Sequence, residues 1–261
     1  MKKLYIENYY ELNLDHHKPA MRCIQNISLK GNERILDIGC GDGKLTAEIS
    51  LLVPNGSVLG IDASEEIIDF AKSKFPNTIY SNLDFEVGDA QNLAFKDEFD
   101  IVVSFACLHA IANHTPILRG IYASLKKHGR LIMQFSGKAK STDVESLVLT
   151  LLNSDKWKSK LADKVEYGFF EVQEYCSILN ACGLYPEKVD LCNQKLTYQG
   201  KADFSFVTRN SWLSLSSRIP NDLYPNFIED LVELYIQHNP PDYKGTIHAR
   251  CIWLEVNATK M

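Results

Sequence analysis

One segment gives the clearest indication of the fold: Ile35-Leu36-Asp37-Ile38-Gly39-Cys40-Gly41-Asp42-Gly43-Lys44. An apolar run typical of a buried strand leads into three alternating glycines, and apolar 3-4 spacing then predicts a helix over 42–52. Glycine is needed where the backbone turns tightly and approaches a ligand, and a helix N-terminus offers free N–H groups. The stretch therefore predicts a nucleotide-like ligand at a junction of strand, loop and helix, although a glycine-rich turn alone is the alternative.

The spacing of the glycines differs from that of a dinucleotide-binding loop. Such a loop would have glycine at position 44, which is Lys44 here, and it needs no acid two residues before its first glycine. Asp37 stands at that position. A carboxylate facing the ligand suits a cationic cofactor better than a pyrophosphate.

The rest of the first half alternates β-branched runs with amphipathic patterns, which is typical of a parallel sheet covered by helices. Five strands are predicted, over 34–38, 57–61, 83–87, 100–104 and 130–135. Helices are predicted between them over 64–74, where Ser64 provides the N-cap, and over 115–126. Further along, helices are predicted over 143–152, 171–181 and 221–237, with an antiparallel edge pair at 189–196 and 247–256.

Two further acids follow predicted strands. Asp62 comes 23 residues after Gly39, and Asp89 follows the third strand. A single aspartate at a strand end is more often a turn cap than a ligand contact. Three of them at successive carboxyl ends reverse that expectation, because open α/β sheets bind ligands at this edge.

Composition narrows the class of protein. The chain has 261 residues with 45% hydrophobic and 23% charged residues, which is enough for one large core, and its net charge is −5. No basic region suggests a nucleic-acid partner, and no membrane span or signal peptide is predicted, so we expect a cytoplasmic protein. Seven cysteines without a C-x-x-C pair indicate reduced thiols, and no metal site is predicted.

Together these motifs resemble the class I S-adenosylmethionine-dependent methyltransferases over about residues 34–135. The resemblance implies an α/β fold with a Rossmann-like, seven-stranded, mostly parallel sheet, helices on both faces and a helical cap for the acceptor. It implies one domain over 1–261, made of an N-terminal lid helix (1–30), a cofactor-binding core (31–136) and a helical cap among the last edge strands (137–261).

The resemblance also assigns roles at the cofactor. Asp37, Gly39 and Gly41 would surround the methionine part of S-adenosyl-L-methionine, and Asp62 would hold the ribose. The resemblance also implies that Ala63 contacts the adenine and that Asp89 and Ala90 together contact its edge. Cys40 and Phe105 would contact other parts of the cofactor.

The segment Ser104-Phe105-Ala106-Cys107-Leu108-His109 and the helical cap resemble those of the juvenile hormone acid and trans-aconitate methyltransferases. Those relatives commonly have tryptophan after the Leu-His pair, where this chain has Ala110. His16 stands where the juvenile hormone group has glutamine. The resemblance implies a small-molecule acceptor, with a carboxylate or hydroxyl oxygen as the methylated atom.

Three residues are predicted to act at the acceptor: His109, His16 and Arg209. Between Leu191 and Arg218 four basic residues face one acid, a local charge of +3 among aromatic residues. Arg209 is the predicted carboxylate clamp, because a guanidinium matches two oxygens, although a solvated helix face explains each basic residue equally well. His109 could accept a proton or shape its loop.

Other functions stay open on the sequence alone. A carrier-protein-linked or quinone-type methyltransferase would share every cofactor residue and differ in the cap. A cofactor-binding module without turnover would share them as well. A nucleic-acid methyltransferase is disfavoured, because Ser104-Phe105-Ala106-Cys107 replaces the Pro-Pro motif expected after the fourth strand.

Overall fold

The computed structural model describes residues 17–161, 166–216 and 218–261. The strands are β1 (Arg34–Ile38), β2 (Ser57–Asp62), β3 (Leu83–Val87), β4 (Phe99–Phe105), β5 (Leu125–Ser136), β6 (Leu184–Tyr198) and β7 (Ile247–Lys260). The helices are α1 (His17–Gln25), α2 (Lys44–Leu52), α3 (Glu65–Lys74), α4 (Thr115–Ser124), α5 (Val144–Leu152), α6 (Asp155–Lys158), α7 (Val172–Ala181), α8 (Lys201–Ser211), α9 (Leu213–Ser216) and α10 (Tyr224–His238), with a 3-10 turn at Leu108–Ala110.

All seven strands form one sheet in the order β3-β2-β1-β4-β5-β7-β6. Neighbours from β3 to β5 are parallel, and β7 is antiparallel to both β5 and β6. The predicted seven-stranded, mostly parallel sheet with an antiparallel edge is therefore confirmed. The strand order reverses between β1 and β4, which is where open α/β sheets bind their ligands.

The central strands are apolar on both faces because helices cover both faces. Ile35 and Ile101 pack with α2 and α3 on one face, and Leu36 and Val102 pack with α4 and α7 on the other. Each of these four side chains is at most 1% exposed. The predicted cap on α3 is present, since Ser64 Oγ accepts the Ile67 N–H at 3.4 Å.

The edge pair extends beyond the rest of the sheet. β7 pairs with β5 from Thr259 to Trp253 and then continues to Ile247 with β6 as its partner. Six residues of strand span about 20 Å, so a long two-stranded ribbon projects past the carboxyl edge. A third apolar cluster packs helices α5, α6, α8 and α10 around this ribbon. We refer to these helices as the cap.

The N-terminal helix lies against the core rather than the cap. His17 Nε2 is 3.1 Å from Glu48 Oε1 on α2, and Arg22 donates a hydrogen bond of 2.8 Å to Glu255 on β7. The predicted lid segment lies largely outside the described residues, and so does His16. Among the helices that the structure describes, none has the length and apolar character needed to cross a membrane.

Candidate active site

The glycine loop turns over the carboxyl end of β2. The backbone N–H groups of Gly39 and Cys40 both donate to the Ile61 carbonyl, at 2.8 and 3.0 Å. Gly41 has φ +55°, and a Cβ built on it has no described atom within 4 Å. The loop therefore presents a cradle of bare backbone on the side away from the sheet, as a ligand approached by main chain requires.

Asp62 supports this loop from the end of β2. Its two carboxylate oxygens accept the Gly41 N–H at 3.3 Å and the Ser64 N–H at 3.0 Å. Burial raises the pKa of this carboxyl, and the backbone N–H groups of Ser64, Gly41 and Ala63 oppose that rise. Both oxygens retain lone pairs. Asp62 is thus fixed in position beside the cradle and can accept further hydrogen bonds.

Asp37 is buried, whereas its position in the motif predicts a carboxylate that faces the ligand. It is 2% exposed, and its Oδ2 accepts a hydrogen bond of 2.7 Å from Thr46 Oγ1 on α2. Burial, and to a smaller extent the charge of Asp62, raise the pKa of Asp37 to about 7, while Thr46 lowers it. This carboxyl joins β1 to α2 under the loop.

The other predicted cofactor residues lie at the same edge. Ala63 and Asp89 are exposed where β2 and β3 end, and Ala90 is half-buried. Asp89 accepts the Gln91 N–H at 2.9 Å, as a turn cap does. Cys40 and Phe105 are each 7% exposed and pack into the cluster beneath the loop.

The segment after β4 connects the loop to a second site. Ala106 has φ +51°, which is rare for a residue other than glycine, and its N–H donates to the Gln134 carbonyl at 2.8 Å. This turn brings Cys107 against Gly39 and directs Ala106 and His109 toward a cavity under the cap.

That cavity has a volume of about 100 Å³ and lies between the extended edge ribbon and helices α5 and α8. Its walls are largely aromatic and apolar, with a few polar groups. The described residues that line it are Ala106, His109, Ser136, Val144, Glu145, Leu196, Tyr198, Phe204, Val207, Thr208, Trp212, Ala249, Arg250, Cys251 and Trp253. An apolar cavity with a few converging polar groups is the usual form of a small-molecule site.

Of the residues predicted at the acceptor, the structure brings His109 to this cavity. Its ring is 6.3 Å from that of Trp212 and stacks at 6.4 Å on that of Tyr167. The lining arginine among the described residues is Arg250, not the predicted Arg209. Arg209 is half-buried on α8, and its carbonyl accepts a hydrogen bond of 2.7 Å from Tyr224.

The structure brings part of the basic stretch to this cavity. Its aromatic residues Tyr198, Phe204 and Trp212 do line the cavity, whereas Phe206 is 49% exposed. Two of its four cations are engaged elsewhere: Lys201 pairs with Glu233, and the Arg218 guanidinium lies 5.5 Å from the centre of the Tyr167 ring.

Comparison with known proteins places this fold and site in a family. The family model described as "Methyltransferase domain" matches residues 29–168. A protein of Invertebrate iridescent virus 6 that is named as a methyltransferase (235L) is 31% identical over 194 residues, 74% of this chain and 71% of its own length. Juvenile hormone acid O-methyltransferase of Bombyx mori is 27% identical over 241 residues, 87% of this chain and 84% of its own length.

Among solved structures, the YcgJ protein from Bacillus subtilis matches with a TM-score of 0.68 at 20% identity, covering 94% of this chain and 99% of that one. This likeness concerns the fold alone. The chain belongs to the methyltransferase domain family and is an S-adenosylmethionine-dependent methyltransferase. The predicted resemblance is thereby confirmed, since juvenile hormone acid and trans-aconitate methyltransferases are both among the relatives.

Most of the lining residues were not predicted from the sequence, among them Glu145, Arg250 and Trp253. Glu145 stands in the first turn of a predicted helix, where an acid is explained by the helix dipole alone. Arg250 and Trp253 belong to a strand whose partner is about 60 residues away in the chain. No local pattern in the sequence separates these residues from ordinary helix and edge-strand residues.

Proposed function

We propose that this methyltransferase binds S-adenosyl-L-methionine at the Gly39–Gly41 loop and transfers its methyl group to an oxygen atom of a small molecule held in the cavity under the cap. The observation that carries this proposal is the segment Phe105–His109. Its Cys107 packs on the loop at Gly39, and its Ala106 and His109 line the cavity. One short segment is therefore shared by both sites.

The residues at the sheet edge suit the cofactor. The bare backbone at Gly41 leaves room for the methionine part, and the fixed Asp62 carboxylate can accept both ribose hydroxyls. The exposed Ala63 and Asp89 are available to the adenine. Bound there, the cofactor supplies an electrophilic methyl group on a sulfonium.

The protein's own contribution to such a transfer is alignment and exclusion of water. Holding two reactants in line supplies roughly 7 to 11 kcal/mol of barrier reduction. The aromatic walls of the cavity, including Tyr198, Phe204 and Trp212, would hold an acceptor with an apolar body and keep water out. We place His109 at the acceptor, and His16 and Arg209 remain predictions.

The class of acceptor is supported by chemistry and by relatives. A relative is named for juvenile hormone acid and its O-methylation, which is consistent with an oxygen acceptor. The net charge of −5 favours a small molecule over a nucleic acid. We also propose that residues 1–261 act as one methyltransferase domain, because the edge strands that complete the sheet also carry the cap.

The experiment is a screen with methyl-labelled S-adenosylmethionine against a panel of phenols, alcohols and carboxylic acids. We expect label in an organic product from at least one oxygen acceptor. Donor binding with no transfer to any acceptor would favour a cofactor-binding module. Transfer restricted to a quinol or to an acyl carrier protein would favour the quinone-type or carrier-linked alternative.

A further inference from the structure

Glu145 is a buried acid that the donor site does not use. It is the second residue of α5, is 3% exposed, and lines the cavity. Its Oε2 atom is buried and has no hydrogen-bond partner among the described residues. A buried carboxylate oxygen without a donor is costly, so this atom is suited to accept a hydrogen bond from a molecule in the cavity.

The charged groups near Glu145 leave a net negative charge when Glu145 is ionised. Arg250 also lines the cavity, but its guanidinium donates a hydrogen bond of 2.6 Å to Asp143 Oδ1, and Asp143 is 2% exposed. With Glu145 ionised, these two acids and one arginine leave this wall with a charge of −1. Among the described residues, the other titratable groups of the cavity lining are His109, Tyr198 and Cys251, and Tyr235 on α10 also interacts electrostatically with Glu145.

Burial raises the pKa of Glu145 to about 7, and the charge of Asp143 adds to the rise. The N–H groups of Glu145 and Ile252 and the charge of Arg250 act in the opposite direction. A carboxyl with this pKa is ionised above pH 7 and can take up a proton near that pH, as an effective general base must.

We propose that Glu145 accepts the hydroxyl proton of the methyl acceptor, so that the cavity selects alcohols or phenols over free carboxylic acids. This inference rests on the proposed function and narrows its substrate class. A hydroxyl group donates the hydrogen bond that Glu145 Oε2 lacks. A carboxylate donates none and would meet an uncompensated negative charge, which costs affinity.

The reaction balances with these groups alone. The acceptor oxygen forms a bond to the methyl carbon while the bond between that carbon and sulfur breaks and its electron pair stays on sulfur. The acceptor's proton passes to the Glu145 carboxylate and then to solvent. The products are a methyl ether, a neutral thioether and one proton.

The test measures binding of two probes of matched shape, p-cresol and p-toluate, without the cofactor. Two of the three tryptophans, Trp212 and Trp253, line the cavity, so quenching of tryptophan fluorescence reports binding. At pH 8.5 we expect the wild-type protein to bind p-cresol at least about tenfold more tightly than p-toluate. In Glu145→Gln that ratio should fall close to one.

Glu66→Gln is the matched control, because Glu66 is also the second residue of its helix, α3, but is exposed. It should keep the wild-type ratio, and thermal melts of both variants verify folding. Three results would overturn the inference. They are a ratio near one in the wild-type protein, an unchanged ratio in Glu145→Gln, and no saturable quenching with p-cresol or with p-toluate. Failure to transfer methyl to any acceptor would refute the proposed function instead, because this ratio does not depend on turnover.

Discussion

The side chain of Cys107 occupies the space into which a Cβ on Gly39 would project, with its Sγ 2.1 Å from that position. Gly39 belongs to the glycine loop after β1, and Cys107 belongs to the segment that leads from β4 to the cavity under the cap. The backbone at Gly39 has φ +74°, which also favours glycine. This contact joins the proposed donor and acceptor sites.

Gly39→Ala should therefore disturb both the loop and the segment after β4. We expect a loss of stability of about 2 to 4 kcal/mol from the overlap and the backbone strain. We also expect loss of S-adenosylmethionine binding in calorimetry. Gly245→Ala is the control, because Gly245 has φ +81° with no described atom within 4 Å of a Cβ. It should lose about 1 kcal/mol through strain and bind the cofactor normally.

Gly41→Ala separates ligand contact from folding. Gly41 has a positive φ and open space around its Cβ position, as Gly245 does, so the two alanine variants should melt at similar temperatures. The added methyl group at position 41 projects into the proposed donor cradle. We expect at least about tenfold weaker cofactor binding than in Gly245→Ala; equal affinities would remove Gly41 from the donor site.

Asp62→Ala tests the ribose contact. A hydrogen bond to a charged carboxylate contributes at least about 1.5 kcal/mol to binding. Loss of two such bonds costs about 3 kcal/mol, so cofactor affinity should fall about 100-fold. Asp84→Ala is the control, because Asp84 is exposed on β3 and accepts a hydrogen bond from the next residue. Calorimetric titration of both variants measures the effect, and similar affinities would argue against the assigned role.

Asp37→Asn should stabilise the protein in a pH-dependent way. The pKa of Asp37 is raised from 3.8 to about 7 in the folded state, so its ionisation costs stability as the pH rises between these values. Asparagine does not titrate and can still accept from Thr46. The gain in unfolding free energy should be larger at pH 8.5 than at pH 5, by about 2 to 3 kcal/mol. Urea unfolding at both pH values checks this, with Asp84→Asn expected to change little; a pH-independent gain would contradict it.

Arg209 and Arg250 can be compared directly. Because Arg209 is not among the residues that line the cavity, Arg209→Gln should leave the p-cresol dissociation constant within about twofold. Arg250→Gln removes the partner of the buried Asp143 and should lower stability by about 2 kcal/mol. A steep loss of p-toluate binding in Arg209→Gln alone would support the carboxylate clamp predicted from the sequence.

The strands of the first half could be predicted from the sequence because each is a short apolar run bounded by turn residues. The ends of the later strands could not. β5 begins at Leu125, five residues before the predicted start, because Leu125 pairs with Phe99 across the sheet. β7 continues to Lys260, where it pairs with Leu184. Such extensions depend on a partner strand and leave no periodic signal.

The proposed donor site can be located from the sequence because its motif is local, whereas the cavity proposed for the acceptor cannot. The residues from Asp37 to Gly41 are contiguous, and their spacing carries the chemistry. Glu145 and Arg250 are about 100 residues apart and meet only after the edge ribbon and α5 pack together. Charge counting predicted basic residues near the acceptor, but local sequence could not reveal that Lys201 pairs with Glu233.

The chemical stability of the methylated product distinguishes a hydroxyl acceptor from a carboxylate acceptor. Wild-type protein is incubated with methyl-labelled S-adenosylmethionine and the acceptor panel, and the labelled product is treated with alkali. A methyl ether survives this treatment, whereas a methyl ester releases labelled methanol. Methyl transfer to a hydroxyl oxygen predicts alkali-stable label in the organic product. Label released wholly as methanol would contradict the hydroxyl acceptor, and the absence of any labelled product would contradict the proposed methyl transfer itself.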